Sequence, residues 1–295
     1  MAKQRLDTQR QQAETRGNNM GQGDWELYAH HRQHQTNAIL QQAPAGGRVC
    51  FLGAGNCNDL DLDRLAGQFS ELHLVDIDTK ALQRAAARQT PTTAAKLRLH
   101  GGIELTGLLA RLSEKKRPLA TFSDIEAVLG PATDSVLANL PKDFDLAVSC
   151  CVATQPYFGL NRVLAPNDPM LVSIRHAGLV VHLRTWGRLV KPGEHLLLVN
   201  DVLSTESYPV DELADEPDSI ETVEDLASRI NVFEGGSPIV VKRILRRDTD
   251  LRALLESPQL TGAWLWTGPR DRTYLVYAMR LQRPSQPPAP ASLAP

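Results

Sequence analysis

The chain has 295 residues, with 32 Lys and Arg against 34 Asp and Glu and a formal charge of -2. That length buries a substantial core as one domain with additions and leaves little room for two large ones. The charge balance supplies no general nucleic-acid signature, because binding phosphates calls for a concentrated basic surface.

No stretch approaches the roughly 20 apolar residues that span a bilayer. Met1-Ala-Lys-Gln-Arg-Leu-Asp-Thr8 has no apolar run to act as a signal segment. Cys50, Cys57, Cys150 and Cys151 show no paired framework and no C-x-x-C spacing. They are expected to be reduced thiols of a cytoplasmic protein.

In chain order, residues 1–22 are rich in Gln, Arg, Asn and Gly and are expected to form a disordered tail. A helix is expected from Trp25 to Gln42, where Trp25, Tyr28, Arg32, Gln35 and Ile39 share one face. Two aromatics, a cation and an amide make that face more polar than a core stripe requires. His30 and His34 share a helical face too, but H-E-x-x-H would need an intervening Glu, and no third ligand is identifiable, so no metal site is expected.

Strands are expected near 48–53, 71–76 and 97–100, then at Phe144–Ser149 and His195–Asn200. An amphipathic helix over 170–190, carrying His176 and His182, precedes the fifth through the turn Lys191-Pro-Gly-Glu194. Two insertions are expected. Residues 104–142 hold helical patterns around 105–112 and 125–140; residues 203–236 hold the acidic run Asp211 to Asp218, a helix near 221–230 and Gly235-Gly236. The acidic run reads as solvated surface, with a lid over a pocket as its functional alternative. Lys242-Arg-Ile-Leu-Arg-Arg247 reads as a solvated face near a strand end. Gly262–Thr267 and Thr273–Met279 form a closing hairpin in which Trp264 and Trp266 face one side for core packing. Residues 283–295 are a proline-rich tail, also expected to be disordered.

The chemistry-bearing motif lies at the first turn. An apolar strand runs into Gly53-Ala-Gly55-Asn56, and Leu74-Val-Asp76 ends the next strand 21 residues after Gly55. Two glycines one residue apart let the backbone turn sharply and approach a ligand closely. An acid ending the second strand is placed to accept hydrogen bonds from ribose hydroxyls. The pattern announces a nucleoside-bearing cofactor. A dinucleotide fingerprint would need glycine at position 58, where Asn58 stands.

At these residues the chain resembles the class I S-adenosylmethionine-dependent methyltransferases, and the Leu189-Val-Lys-Pro-Gly193 segment before the fifth strand resembles them too. The resemblance covers residues 46–281. It implies a Rossmann-like three-layer α/β sandwich with a mostly parallel sheet of about seven strands and a C-terminal antiparallel hairpin, as one domain over 23–282. It implies S-adenosylmethionine as cofactor. Gly53, Gly55 and Asn56 would line its methionine part and Asp76 would take the ribose, with Asp78 a weaker candidate. Ile77 would back the adenine, Gly102 and Ile103 would sit in the adenine region with Glu104 nearby, and Ser149 and Cys150 would flank the sulfonium. Tyr28 and Arg32, on the helix before the first strand, would meet the carboxylate. Phe51 stands where the family has a leading acid, and Cys57 where it has the last glycine.

Gln155-Pro-Tyr157 lies where the family places acceptor contacts, and the catalytic residues are not readable. A methyltransferase with a small-molecule acceptor leads. An NAD(P)-dependent oxidoreductase and a non-catalytic interaction module keeping the fold are the alternatives.

Overall fold

The computed structural model describes Asn18 and residues 23–108, 121–153, 169–213, 220–230, 236–268 and 271–285. Most of both expected tails, part of the helix expected over 105–112, and Gln155-Pro-Tyr157 lie outside these residues.

Seven strands form one sheet: β1 (Arg48–Leu52), β2 (Glu71–Asp76), β3 (Leu97–Gly101), β4 (Phe144–Cys150), β5 (Val190–Ser204), β6 (Gln259–Gly268) and β7 (Arg272–Gln282), in the order β3-β2-β1-β4-β5-β7-β6. β1 to β5 pair in parallel, and β7 runs antiparallel to both of its neighbours. The expected sheet and closing hairpin are both present.

Alternate side chains of the central strands feed two separate cores, as the two-residue period of a strand requires. Val49 and Phe51 pack with Leu72, Leu74, Leu146 and Val148 against α1 (Ala29–Leu40), α2 (Leu62–Gln68) and α3 (Thr79–Ala87). A short helix, α4 (Pro91–Lys96), docks on α2 through Thr93, whose Oγ1 donates to Asp63 Oδ1 at 2.5 Å. On the opposite side, Cys50, Leu52, Ala147, Leu196 and Leu198 pack against α5 (Phe122–Leu137) and α6 (Leu171–Gly187). That layer is completed by α7 (Ile220–Arg229), α8 (Pro238–Arg247) and α9 (Thr249–Leu254). Trp186 of α6 ties the layers by donating Nε1–H to the Ala147 carbonyl at 3.0 Å.

Helix starts follow local chemistry. Asp78 caps α3 by accepting from Lys80 N at 3.0 Å and Ala81 N at 3.2 Å, and Thr121 with Asp124 forms a reciprocal capping box on α5.

Two readings are corrected. The Lys191-Pro-Gly-Glu194 segment is not a turn before the fifth strand but part of β5. Across this stretch the β4 pairing jumps from Val190 to His195 and Gly193 takes φ +89°, a kink inside the strand that the far end of β7 holds: Gly193 donates to the Arg283 carbonyl at 2.7 Å and Gln282 Nε2 donates to the Gly193 carbonyl at 2.8 Å. The basic cluster Lys242–Arg247 lies within helix α8, where Val241, Ile244 and Leu245 are buried and the cations take the other face. Among the described residues no helix is long and apolar enough to cross a membrane.

Candidate functional site

The site is built where β1 and β2 end side by side. Gly53 continues the β1 direction by donating to the Val75 carbonyl at 2.9 Å, with φ at +78°. A Cβ there would stand 2.5 Å from Val152 Cβ, so both conformation and space demand glycine. Gly55, with φ at +48°, donates its N–H to Asp76 Oδ2 at 2.9 Å, and Asp78 N–H donates to Asp76 Oδ1 at 2.8 Å. Both carboxylate oxygens are thereby oriented. Cys57 has a left-handed backbone, at φ +52°, with its thiol buried. Phe51 is fully buried in the sheet core.

The exit of the turn is clamped by arginines. Asn56 Oδ1 accepts from Arg84 Nε at 3.3 Å and Nη2 at 3.1 Å. Arg88 donates Nη1–H to Asn58 Oδ1 at 3.2 Å and Nη2–H to the Asn56 carbonyl. Arg32 donates Nη1–H to the carbonyls of Trp25 and Asn58, both at 2.8 Å, and its guanidinium lies 3.5 Å from the Trp25 ring centroid. The helix before β1 thus reaches the glycine turn, but within a shorter span than expected, Ala29–Leu40.

Tyr28 packs on Trp266 at 4.7 Å between centroids, and burial, with Asp59 and Cys151 nearby, pushes its phenol well above the usual range. Asp59 accepts from Gln35 Nε2 at 2.9 Å, and burial raises its carboxyl to about 6. Burial likewise raises Asp201, just past the apolar run of β5, to about 6, and both carboxyls act on the Cys151 thiol, which burial pushes up. Behind Tyr28, Trp264 donates Nε1–H to His31 Nδ1 at 2.9 Å, which places the neutral imidazole proton on Nε2. Burial lowers His31 to about 3.

Gly53, Gly55, Asn56 and Asp76 lie together at the ends of β1 and β2, and from the end of β3 come Gly102, at φ +77°, and Ile103, which donates to the Asp76 carbonyl at 3.3 Å. Ile77 is half-buried beside them. Asp78 Oδ1 is committed to capping α3. Glu104 Oε1 accepts from Thr106 N at 2.8 Å and Oγ1 at 2.6 Å, closing its own turn. Ser149 and Cys150 end β4 with buried side chains: Ser149 Oγ lies 2.9 Å from His182 Nε2, and the Cys150 thiol packs in the opposite core. His182 is itself fully buried, and burial lowers it to about 4. Among the described residues no group of three or more His, Cys, Asp or Glu side chains could hold a metal ion.

Three residues near the strand ends escaped the sequence reading. Asp59 and Asp201 carried a usable signal, an acid following the glycine turn and an acid following the apolar run of β5. Asn18 carried none. It sits on the glycine turn, donating Nδ2–H to Asp78 Oδ2 at 3.2 Å and accepting on its carbonyl from Asn56 Nδ2 at 2.6 Å.

No family model and no curated protein matches the sequence. Solved structures with a similar course include the YcgJ protein from Bacillus subtilis, at 12% identity and TM-score 0.46, covering 86% of this chain and 100% of that one. A Streptococcus mutans protein solved in complex with SAH matches at 8% identity and TM-score 0.39, covering 84% of this chain and 96% of that one. An rRNA methylase from Streptococcus thermophilus matches at 11% identity and TM-score 0.35, covering 85% of this chain and 95% of that one. What identifies the architecture is the strand order itself. With β7 inserted antiparallel between β5 and β6 of an otherwise parallel sheet, the chain has the fold of the class I S-adenosylmethionine-dependent methyltransferases.

Proposed function

We propose that the chain is an S-adenosylmethionine-dependent methyltransferase acting on a small-molecule acceptor. The observation that carries this reading is the Asp76 carboxylate, held at 2.9 Å by Gly55 N–H and at 2.8 Å by Asp78 N–H beside a bare glycine turn. Such a carboxylate is pre-oriented to accept from two vicinal ribose hydroxyls. The absence of a Cβ on Gly55, which would stand in van der Waals contact with Asp76 Oδ2 at 3.9 Å, supports the approach of a cofactor to that carboxylate.

In this reading Gly53, Gly55 and Asn56 line the amino-acid end, Ile77, Gly102 and Ile103 border the adenine, and Ser149 and Cys150 contribute through their backbone. Arg32 acts on the cofactor through the turn it clamps. Tyr28 and Asp59 face the transfer region, and a carboxyl titrating near 6 is suited to take a proton from the acceptor near neutral pH. S-adenosylmethionine, when bound, supplies a methyl group on an already activated sulfonium. The protein's part is then chiefly to hold donor and acceptor in line.

The test is incubation with methyl-labelled S-adenosylmethionine and fractionated cell extract. Label should pass to a small molecule with the unmodified protein and not with Asp76→Ala, compared at equal folded concentration. Absence of labelled product from every fraction would defeat the assignment of activity.

A further inference from the structure

We propose that Asn18 is a built-in occupant of the nucleoside cleft, which the cofactor must displace in order to bind. This rests on the cofactor reading above and concerns the same cleft. Asn18 engages the polar groups that ring the glycine turn: its carbonyl takes the Asn56 Nδ2–H at 2.6 Å and its own Nδ2–H goes to Asp78 Oδ2 at 3.2 Å. Its Oδ1 lies 3.1 Å from where a Cβ of Gly55 would be, and the Asp76 carboxylate borders the same point at 3.9 Å. The bare side of Gly55 is the space a ligand needs to reach Asp76, and Asn18 fills it.

The contacts are those of a polar plug. One residue holds both sides of the turn, Asp78 through its side-chain amide and Asn56 through its main-chain carbonyl, with the amide oxygen packed over Gly55. The binding-competent fraction is then the fraction in which Asn18 is out of the cleft, and the measured dissociation constant is the intrinsic one divided by that fraction.

The contact predicts a sign opposite to that of a cofactor-contacting residue. Asn18→Ala removes the Asp78 bond and the packing on Gly55 while leaving the backbone carbonyl in place, and a chain lacking residues 1–22 removes everything. S-adenosylhomocysteine should bind Asn18→Ala about three- to tenfold more tightly than the unmodified chain, the shift in open fraction expected from losing one net hydrogen bond. The truncated chain should bind at least as tightly as Asn18→Ala. Thermal melts in parallel identify the folded variants, and either variant alone decides the sign. Equal or weaker binding by a folded variant, with the unmodified chain still binding, overturns the plug and leaves the cofactor reading standing. Failure of the unmodified chain and both variants to bind, all folded, overturns the cofactor reading and the plug with it.

Discussion

Gly53→Ala should destabilise the protein strongly, because two independent penalties fall on one methyl group. At φ +78° an L-residue pays about 1–2 kcal/mol for its backbone. The added Cβ would also meet Val152 at 2.5 Å from Cβ, 2.8 Å from Cγ2 and 3.1 Å from Cγ1, and Val152 is buried just beyond β4. Overpacking of that kind costs about 1–3 kcal/mol. The total, about 2–5 kcal/mol, corresponds to a fall in Tm of about 4–20 °C for a domain of this size. Calorimetric or fluorescence melts measure it directly. The partner is tested by a double-mutant cycle: Val152→Gly removes the clashing atoms, so Gly53→Ala on that background should cost about 1 kcal/mol or more less than it does alone. A Tm for Gly53→Ala within about 1 °C of the unmodified protein, or strictly additive variants, would refute the close approach of the β1 turn to Val152.

Gly55→Ala should behave differently, because its Cβ would meet only the Asn18 side chain at 3.1 Å and Asp76 at 3.9 Å. It is expected to fold with a modest loss of about 1–2 kcal/mol for the positive φ yet, compared on an Asn18→Ala background so that displacement of Asn18 does not enter, to bind S-adenosylhomocysteine at least about tenfold more weakly; unchanged affinity there would show that the cofactor does not approach Gly55. His182, lowered to about 4 by burial, is neutral when folded, so its contribution is complete above about 6.5 and is lost as pH falls from there toward 4. Between pH 7 and 5 the unmodified protein should therefore lose about 2 kcal/mol more than His182→Gln. Asp59 and Asp201, raised to about 6, bias stability in the opposite sense over pH 4 to 6, but they are common to both proteins and cancel in the comparison. Parallel urea-melt stabilities across that range would contradict the buried neutral imidazole.

Where local pattern and tertiary structure agreed, the sequence was legible. β2 was read at its true limits, 71–76, because an apolar run bounded by polar residues suits a strand buried on both faces. The β5 start was placed too late because Pro192-Gly193 is a turn signal locally, and Gly193 does take φ +89°, whereas the contacts that keep this kink within the strand come from Gln282 and Arg283, some ninety residues away. Helix α8 was missed because the cations drew the reading toward a solvated face near a strand end; Ser237-Pro238 followed by Val241, Ile244 and Leu245 was the helical signal. At the candidate site, the tight turn at Gly53 and Gly55 and the place of Asp76 at the end of β2 were legible, because both depend on local backbone freedom and strand pattern. Cys57 was not, since nothing in its identity announces a left-handed conformation. Ser149 and His182 are 33 residues apart and meet only through the packing of α6 on β4.

The central claim is a nucleoside cleft organised by Asp76, and calorimetric titration with S-adenosylhomocysteine and, separately, with NADH tests it most directly. The account predicts saturable binding of S-adenosylhomocysteine, weakened about tenfold or more by Asp76→Ala through loss of charge-assisted hydrogen bonds, and no comparable binding of NADH. Tight binding of NADH with none of S-adenosylhomocysteine, by the folded and unmodified protein, would contradict it.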